Sequence, residues 1–144
     1  MTYLLDTNVL SELVRPAPDA NVVAWSRGQS PIDLWLSVLT LGELEKGIAM
    51  MAHGARRARL TQWVQTKLPR QFLGRLLPID DAVAMAWGRL TATGLREGRP
   101  LPVIDGLMVA TAQVHDLHLV TRNVSDCSRR GVPILDPWSG RVHR

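Results

Sequence analysis

Short apolar runs, each followed by a helical repeat of apolar positions, alternate along the chain. Tyr3-Leu4-Leu5 is the first run, long enough for a buried strand and too short for a helix. It stops at Asp6-Thr7-Asn8, and Val9, Leu10, Leu13 and Val14 follow at helical spacing. Arg15-Pro16-Ala17-Pro18-Asp19 reads as a loop that starts a second helix, ending near Gly28. Leu34-Trp35-Leu36-Ser37-Val38 predicts a second buried strand. It runs into Thr40-Leu41-Gly42-Glu43, which fits the S/T-x-x-E capping box; Leu44, Ile48 and Met51 continue one apolar face until His53-Gly54.

Arg56, Arg57 and Arg59 then precede Leu60, Trp63, Val64 and Leu68 at helical intervals, closed by Pro69. Leu76-Leu77-Pro78-Ile79 predicts a third strand, with Asp80 and Asp81 capping a helix that turns Val83, Trp87 and Leu90 inward. Gly94 to Pro102 reads as a loop leading through Val103-Ile104-Asp105-Gly106 into a nearly all-apolar helix, Leu107 to Val114, of the kind that is normally buried. Leu117-His118-Leu119-Val120 predicts a fourth strand, ending at Thr121 to Asp126. Val132-Pro133-Ile134-Leu135 reads as an edge strand, because a proline cannot donate to a ladder.

Strands alternating with helices predict an α/β fold: a mostly parallel central sheet of about five strands flanked by helices. The expected division is one domain over residues 1–138 and a flexible C-terminal tail over 139–144. At 144 residues the chain is long enough for a real hydrophobic core, and 46% apolar with 21% charged residues argues against general disorder. No apolar run approaches the ~20 residues of a membrane span, and no signal peptide is evident. Cys127 is the only cysteine, so no intrachain disulfide can form, which suits a cytoplasmic protein.

The net charge is +4, carried by fifteen Arg against two Lys. Arginine suits bidentate phosphate contacts, so a polyanionic partner fits, although GC-rich coding raises Arg as well.

The acids change the picture. Asp6 ends the first strand, Glu43 opens the helix after the second, Asp105 begins the buried helix, and Asn123 and Asp126 follow the fourth strand. In a parallel sheet these points share the carboxyl edge, where the binding crevice lies. Each acid alone reads more readily as a helix cap or a surface acid than as a ligand. Together they form an anionic cluster that repels itself unless protons or a cation intervene, and hard divalent ions such as Mg²⁺ take oxygen ligands. One or two such ions, roughly 3.5–4 Å apart when paired, activate water against a phosphodiester. There is no Walker A sequence, no G-x-G-x-x-G and no catalytic triad, and a lone cysteine with four scattered histidines disfavours zinc.

Four segments resemble the signatures of the PIN-domain family. They are Leu4-Leu5-Asp6-Thr7-Asn8-Val9-Leu10-Ser11-Glu12, Ser37 to Gly47, Asp105-Gly106-Leu107-Met108-Val109-Ala110-Thr111-Ala112, and Thr121-Arg122-Asn123-Val124-Ser125-Asp126. Their order is that of the family, and the similarity is to the VapC or FitB-like toxins of bacterial type II toxin–antitoxin systems. By this resemblance Asp6, Glu43 and Asp105 are the acidic metal-site residues. Family members place the fourth acid at the residue matching Asn123 or at the one matching Asp126; only Asp126 is an acid here, so the role goes to Asp126, with Asn123 as a neutral or water-mediated ligand. Thr7, Asn8 and Thr121 support the site. Cys127 stands where the family usually has an aromatic.

The resemblance implies a ribonuclease dependent on Mg²⁺, with Mn²⁺ as the substitute, acting as a homodimer. It further implies inhibition by a small VapB/FitA-like antitoxin lying over the active site, in a complex that also binds operator DNA. Lys46, Arg99 and Arg122 are the candidate contacts to RNA phosphates, and the Arg56–Leu68 stretch is a candidate surface for the antitoxin. The rival reading is a non-catalytic nucleic-acid-binding partner of the same fold. A haloacid-dehalogenase-type phosphatase also uses an Asp after strand one, but needs a second Asp where Asn8 stands.

Overall fold

Tyr3, Leu4 and Leu5 are all buried and form the strand from which the sheet grows in both directions. The computed structural model describes residues 1–144. The elements are β1 (Tyr3–Leu5), α1 (Thr7–Leu13), α2 (Ala20–Arg27), β2 (Leu34–Ser37), α3 (Val38–Ala49) and α4 (Ala55–Gln62). A π-helical turn, Trp63–Lys67, joins α4 to α5 (Leu68–Gln71). Then come β3 (Leu76–Leu77), α6 (Asp81–Arg96), α7 (Val103–Val114), β4 (His118–Val120), α8 (Val124–Cys127), β5 (Ile134–Asp136) and β6 (Arg141–His143).

The sheet order is β3-β2-β1-β4-β5-β6. The first five strands are parallel and β6 runs antiparallel to β5. Successive residues of β1 point to opposite faces, and the core divides accordingly. Tyr3 and Leu5 pack with Val9, Leu36 and Phe72 on one side; Leu4 packs with Met108, Val109, Leu119 and Ile134 on the other. Each fully buried side chain of this kind contributes roughly 1.5–3 kcal/mol. No helix is long and apolar enough to cross a membrane.

Several boundaries differ from expectation for identifiable reasons. The helix after β2 is capped by Ser37, whose Oγ accepts from the Leu39 N–H at 3.1 Å, and not by Thr40, which is wholly buried. Val38 therefore opens α3 instead of closing β2, and α3 ends at Ala49, short of His53. Pro69 does not close its helix. Having no N–H and crowding the carbonyl four residues back, it is accommodated by the π turn, in which the Leu68 N–H reaches back to the Trp63 carbonyl. The strand expected over Leu76–Ile79 is only two residues long. Helix α6, capped by Asp80 Oδ1 accepting from the Val83 N–H at 3.0 Å, runs to Arg96, so the expected loop is shorter at its start, and α7 opens at Val103 where Leu107 was expected.

The C-terminal region needs two corrections. Pro133 lies just before β5, its carbonyl accepting from the Leu119 N–H, so β5 is interior and not an edge. The residues expected to form a flexible tail contain a sixth strand: Arg141–His143 pairs with β5 and becomes the edge itself.

Candidate functional site

From β1 the sheet extends toward β2 on one side and β4 on the other, so a crevice opens beyond the carboxyl ends of β1 and β4. Asp6 and Thr121, the first residues after these strands, meet there: Thr121 Oγ1 donates to Asp6 Oδ2 at 2.7 Å. Asp6 Oδ1 accepts from the Thr7 N–H at 2.7 Å, capping α1. Asn8 Nδ2 donates to Asp6 Oδ2 at 3.3 Å, while Asn8 Oδ1 accepts from the Arg122 N–H at 3.3 Å. So enclosed, Asp6 is 6% exposed.

Glu43 arrives from the second turn of α3, not the first. Thr7 Oγ1 donates to Glu43 Oε1 at 2.6 Å, and Thr40 Oγ1 lies 3.1 Å from the same Thr7 hydroxyl. One hydroxyl carries one proton, so Thr7 spends its proton on the carboxylate and accepts from Thr40. Asp105 is the third residue of α7 and does not cap it. Asn123 Nδ2 donates to Asp105 Oδ2 at 2.7 Å, and the Asn123 N–H donates to Thr121 Oγ1 at 3.0 Å.

Asp6, Glu43 and Asp105 line one open cleft of about 640 Å³, together with Thr7, Asn8 and Arg122. Asp126 does not line it. It lies in α8, one turn past Asn123, and acts on the cleft through its charge. Burial raises the Asp6 carboxyl from 3.8 to about 6; hydrogen bonds from Thr121 and Thr7 oppose the shift, and the charges of Glu43 and Asp105 add to it. Asp105 is raised too, first by burial, against its bond from Asn123, with Asp126 and Glu43 adding their repulsion.

The donor set is all oxygen, with neither imidazole nor thiolate lining the cleft. Cys127 is buried, and that burial keeps its thiol protonated. Glu43 Oε2 and Asp105 Oδ1 have no hydrogen-bond partner in the protein, whereas the other oxygen of each is engaged. No three acidic side chains stand within ligating reach of one point. Mg²⁺ usually keeps several waters and takes only one or two carboxylates, so hard oxygen donors around an open cleft fit it.

Of the candidate phosphate contacts, Arg122 lines the cleft. Lys46 is exposed in a shallow groove beside Glu43 and Ile104. Arg99 is engaged elsewhere: its Nη2 donates to the carbonyls of Ser125 and Ser128, bracing α8. Ser11, Glu12, Arg15 and Trp138 also line the cleft and were not expected. The first three were legible, since Asn8, Ser11, Glu12 and Arg15 recur at helical spacing along α1. Trp138 had no local signal; the β5–β6 hairpin brings it there.

The sequence matches the family model described as PIN domain over residues 3–125. It is 34% identical over 135 residues to Toxin FitB of Neisseria gonorrhoeae, covering 94% of this chain and 97% of that protein. It is 35% identical over 135 residues to VapC ribonuclease Y4jK of Sinorhizobium fredii, covering 94% and 96%. Among solved structures, FitAcB from Neisseria gonorrhoeae superposes with a TM-score of 0.90 at 34% identity, over 95% of this chain and 99% of that one. FitAB bound to an IR36 DNA fragment does so at 0.90 and 32% identity, over 95% and 96%.

Proposed function

The chain belongs to the PIN-domain family, and as a FitB- and VapC-like nuclease toxin of a toxin–antitoxin module we propose that it hydrolyses phosphodiester bonds in RNA, using Mg²⁺ or Mn²⁺ that one or two of Asp6, Glu43 and Asp105 would hold directly and the remainder through bound water. The observation that carries this reading is the meeting of three carboxylates from β1, α3 and α7 in one cleft, with Glu43 Oε2 and Asp105 Oδ1 free of protein partners.

A divalent cation bound there supplies an activated water and neutralises charge on the leaving oxygen. The chain's own residues do the positioning. Thr121, Asn8 and the Thr7 N–H hold the Asp6 carboxylate, the Thr7 hydroxyl turns Glu43 toward the cleft, and Asn123 holds Asp105. Asn123 thereby takes the fourth position, and Asp126 adds negative field from behind it. Lys46, one turn along α3 from Glu43, holds a backbone phosphate. A purely nucleic-acid-binding surface gains nothing from converging anions, which repel the ligand.

The toxin is kept in check by a small FitA- or VapB-like antitoxin. An apolar groove lined by Leu44, Ile48, Met51, Leu60 and Trp63 adjoins the cleft and shares Ser11, Arg15 and Glu43 with it. A segment seated in that groove continues directly over the acids. The active protein is a cytoplasmic homodimer, and its antitoxin complex binds operator DNA. Incubating the partner-free protein with total RNA, in Mg²⁺ and in EDTA, and mapping the new ends tests the activity. Cleavage that survives EDTA or Asp105→Asn refutes the reading.

A further inference from the structure

Trp138 is the one aromatic side chain lining the acidic cleft. Arg122 lies over its ring, the guanidinium carbon 5.0 Å from the ring centroid. Both residues are held from behind. Trp138 sits in the turn between β5 and β6; its N–H donates to Asp136 Oδ1 at 2.9 Å and its carbonyl accepts from Asn21 Nδ2 at 2.9 Å. Its ring is partly buried against the core on the β1 side. Arg122 follows Thr121 directly, and its N–H is tied to Asn8.

Arg122 itself is exposed. The other cation lining the cleft, Arg15, is paired with Glu12 at 3.2 Å, whereas Arg122 has no carboxylate within ion-pair distance. Cation–π pairs are common on protein surfaces. This one is set apart by its place on the wall that also carries Asp6, Glu43 and Asp105. A contact to phosphate alone does not need an aromatic ring beneath the cation. Recognition of single-stranded RNA does use such surfaces, because unstacked bases lie on aromatic rings and on guanidinium planes.

We propose that Arg122 and Trp138 form a stacking platform for an unpaired nucleobase of the RNA, beside the phosphate presented to Asp6, Glu43 and Asp105. The inference rests on the nuclease reading above and deepens it: this pair reads the base next to the cut. Arg122 then contacts a base face and not, as its charge alone suggests, a phosphate. A paired base cannot reach the platform, so a duplex of the same charge binds by its backbone only.

Fluorescence anisotropy in EDTA separates binding from cleavage. The probes are short homopolymeric oligoribonucleotides of each base, a duplex, and an abasic ribose-phosphate strand of equal length. Trp138→Ala and Arg122→Ala weaken binding of the base-bearing single strands by roughly 5- to 100-fold, the range of one lost stacking contact. Trp138→Phe keeps most of the affinity, and Arg122→Lys does not restore it although the charge is retained. On the abasic strand and the duplex, Trp138→Ala and Arg122→Lys bind as wild type does, and Arg122→Ala loses only the smaller share owed to its missing charge.

Equal losses on abasic and base-bearing strands, or full rescue by Arg122→Lys, make the pair a phosphate contact and overturn the proposal. So does an unchanged affinity for every strand, including a case in which the substitutions weaken only a bound antitoxin. Should Trp138→Ala unfold, the exposed Arg122 variants still decide. Wild type that stacks RNA in EDTA but does not cut it in Mg²⁺ refutes the nuclease reading and leaves the platform supported.

Discussion

Thr121 Oγ1 and Asp6 Oδ2, 115 positions apart in the chain, are joined by a 2.7 Å hydrogen bond in the interior. The bond ties together the residues that follow β1 and β4 at the crevice and is one of the few influences that keep the Asp6 carboxyl from rising above about 6. Thr121→Val removes it and keeps the shape. The acid limb of the pH–rate profile then moves to higher pH, cleavage at neutral pH falls, and Thr121→Ser restores both. Profiles measured across the acid range check this; an unmoved limb contradicts it.

Asp6 also makes the metal-free protein pH-sensitive. Its carboxyl titrates at about 6 in the fold against 3.8 unfolded, so the native state prefers it protonated. That contribution is complete below pH 3.8 and is lost as pH rises through about 6, to a total of about 3 kcal/mol for the shift. Asp6→Asn should therefore melt higher than wild type in EDTA above pH 6, with a flatter pH dependence, while cleavage disappears. Differential scanning fluorimetry at a series of pH values reads both.

Metal binding should reverse that penalty. A cation bound only by the native state raises the melting midpoint, and it binds the ionised carboxylates. The shift produced by Mn²⁺ is expected to be larger above pH 6 than below it, and small in Asp6→Asn. A midpoint indifferent to Mn²⁺ at every pH would argue for the non-catalytic rival.

Asn123 and Asp126 are separated by what each touches. Asn123→Ala leaves Asp105 without its 2.7 Å donor and should cost roughly 10- to 100-fold in metal affinity or activity, as loss of a ligand-orienting group does. Asp126→Asn only relieves repulsion on Asp105, so its effect should be smaller. Calorimetric Mn²⁺ titration of both variants ranks them.

Two glycines of one helix give opposite expectations. A Cβ on Gly94 would stand 2.6 Å from the Arg99 carbonyl, the group that also accepts from Arg130, so Gly94→Ala must displace the brace of α8. Such overpacking costs roughly 1–3 kcal/mol. Gly88 has nothing within 4 Å, so Gly88→Ala should be neutral or stabilise by up to about 1 kcal/mol. Thermal melts of the pair test whether the α6–α7 loop braces α8.

The alternation of apolar runs and helical repeats determined the order of strands and helices, the parallel sheet, and the placing of Asp6, Glu43 and Asp105 toward one edge. Those features follow from side-chain periodicity, which is local and is written in consecutive residues. Tertiary structure alone decided between competing local options. Ser37 and Thr40 can each cap a helix, and burial of Thr40 beside Thr7 settled it. Arg141-Val142-His143 carries no apolar run, because an edge strand is held by backbone hydrogen bonds to β5 and little by burial; no local pattern announces it. The same hairpin sets Trp138 against the acids, and the packing of α8 turns Asn123, not Asp126, onto Asp105. Contacts between groups more than a dozen residues apart leave no period in the sequence, and the finer half of the site is built from them.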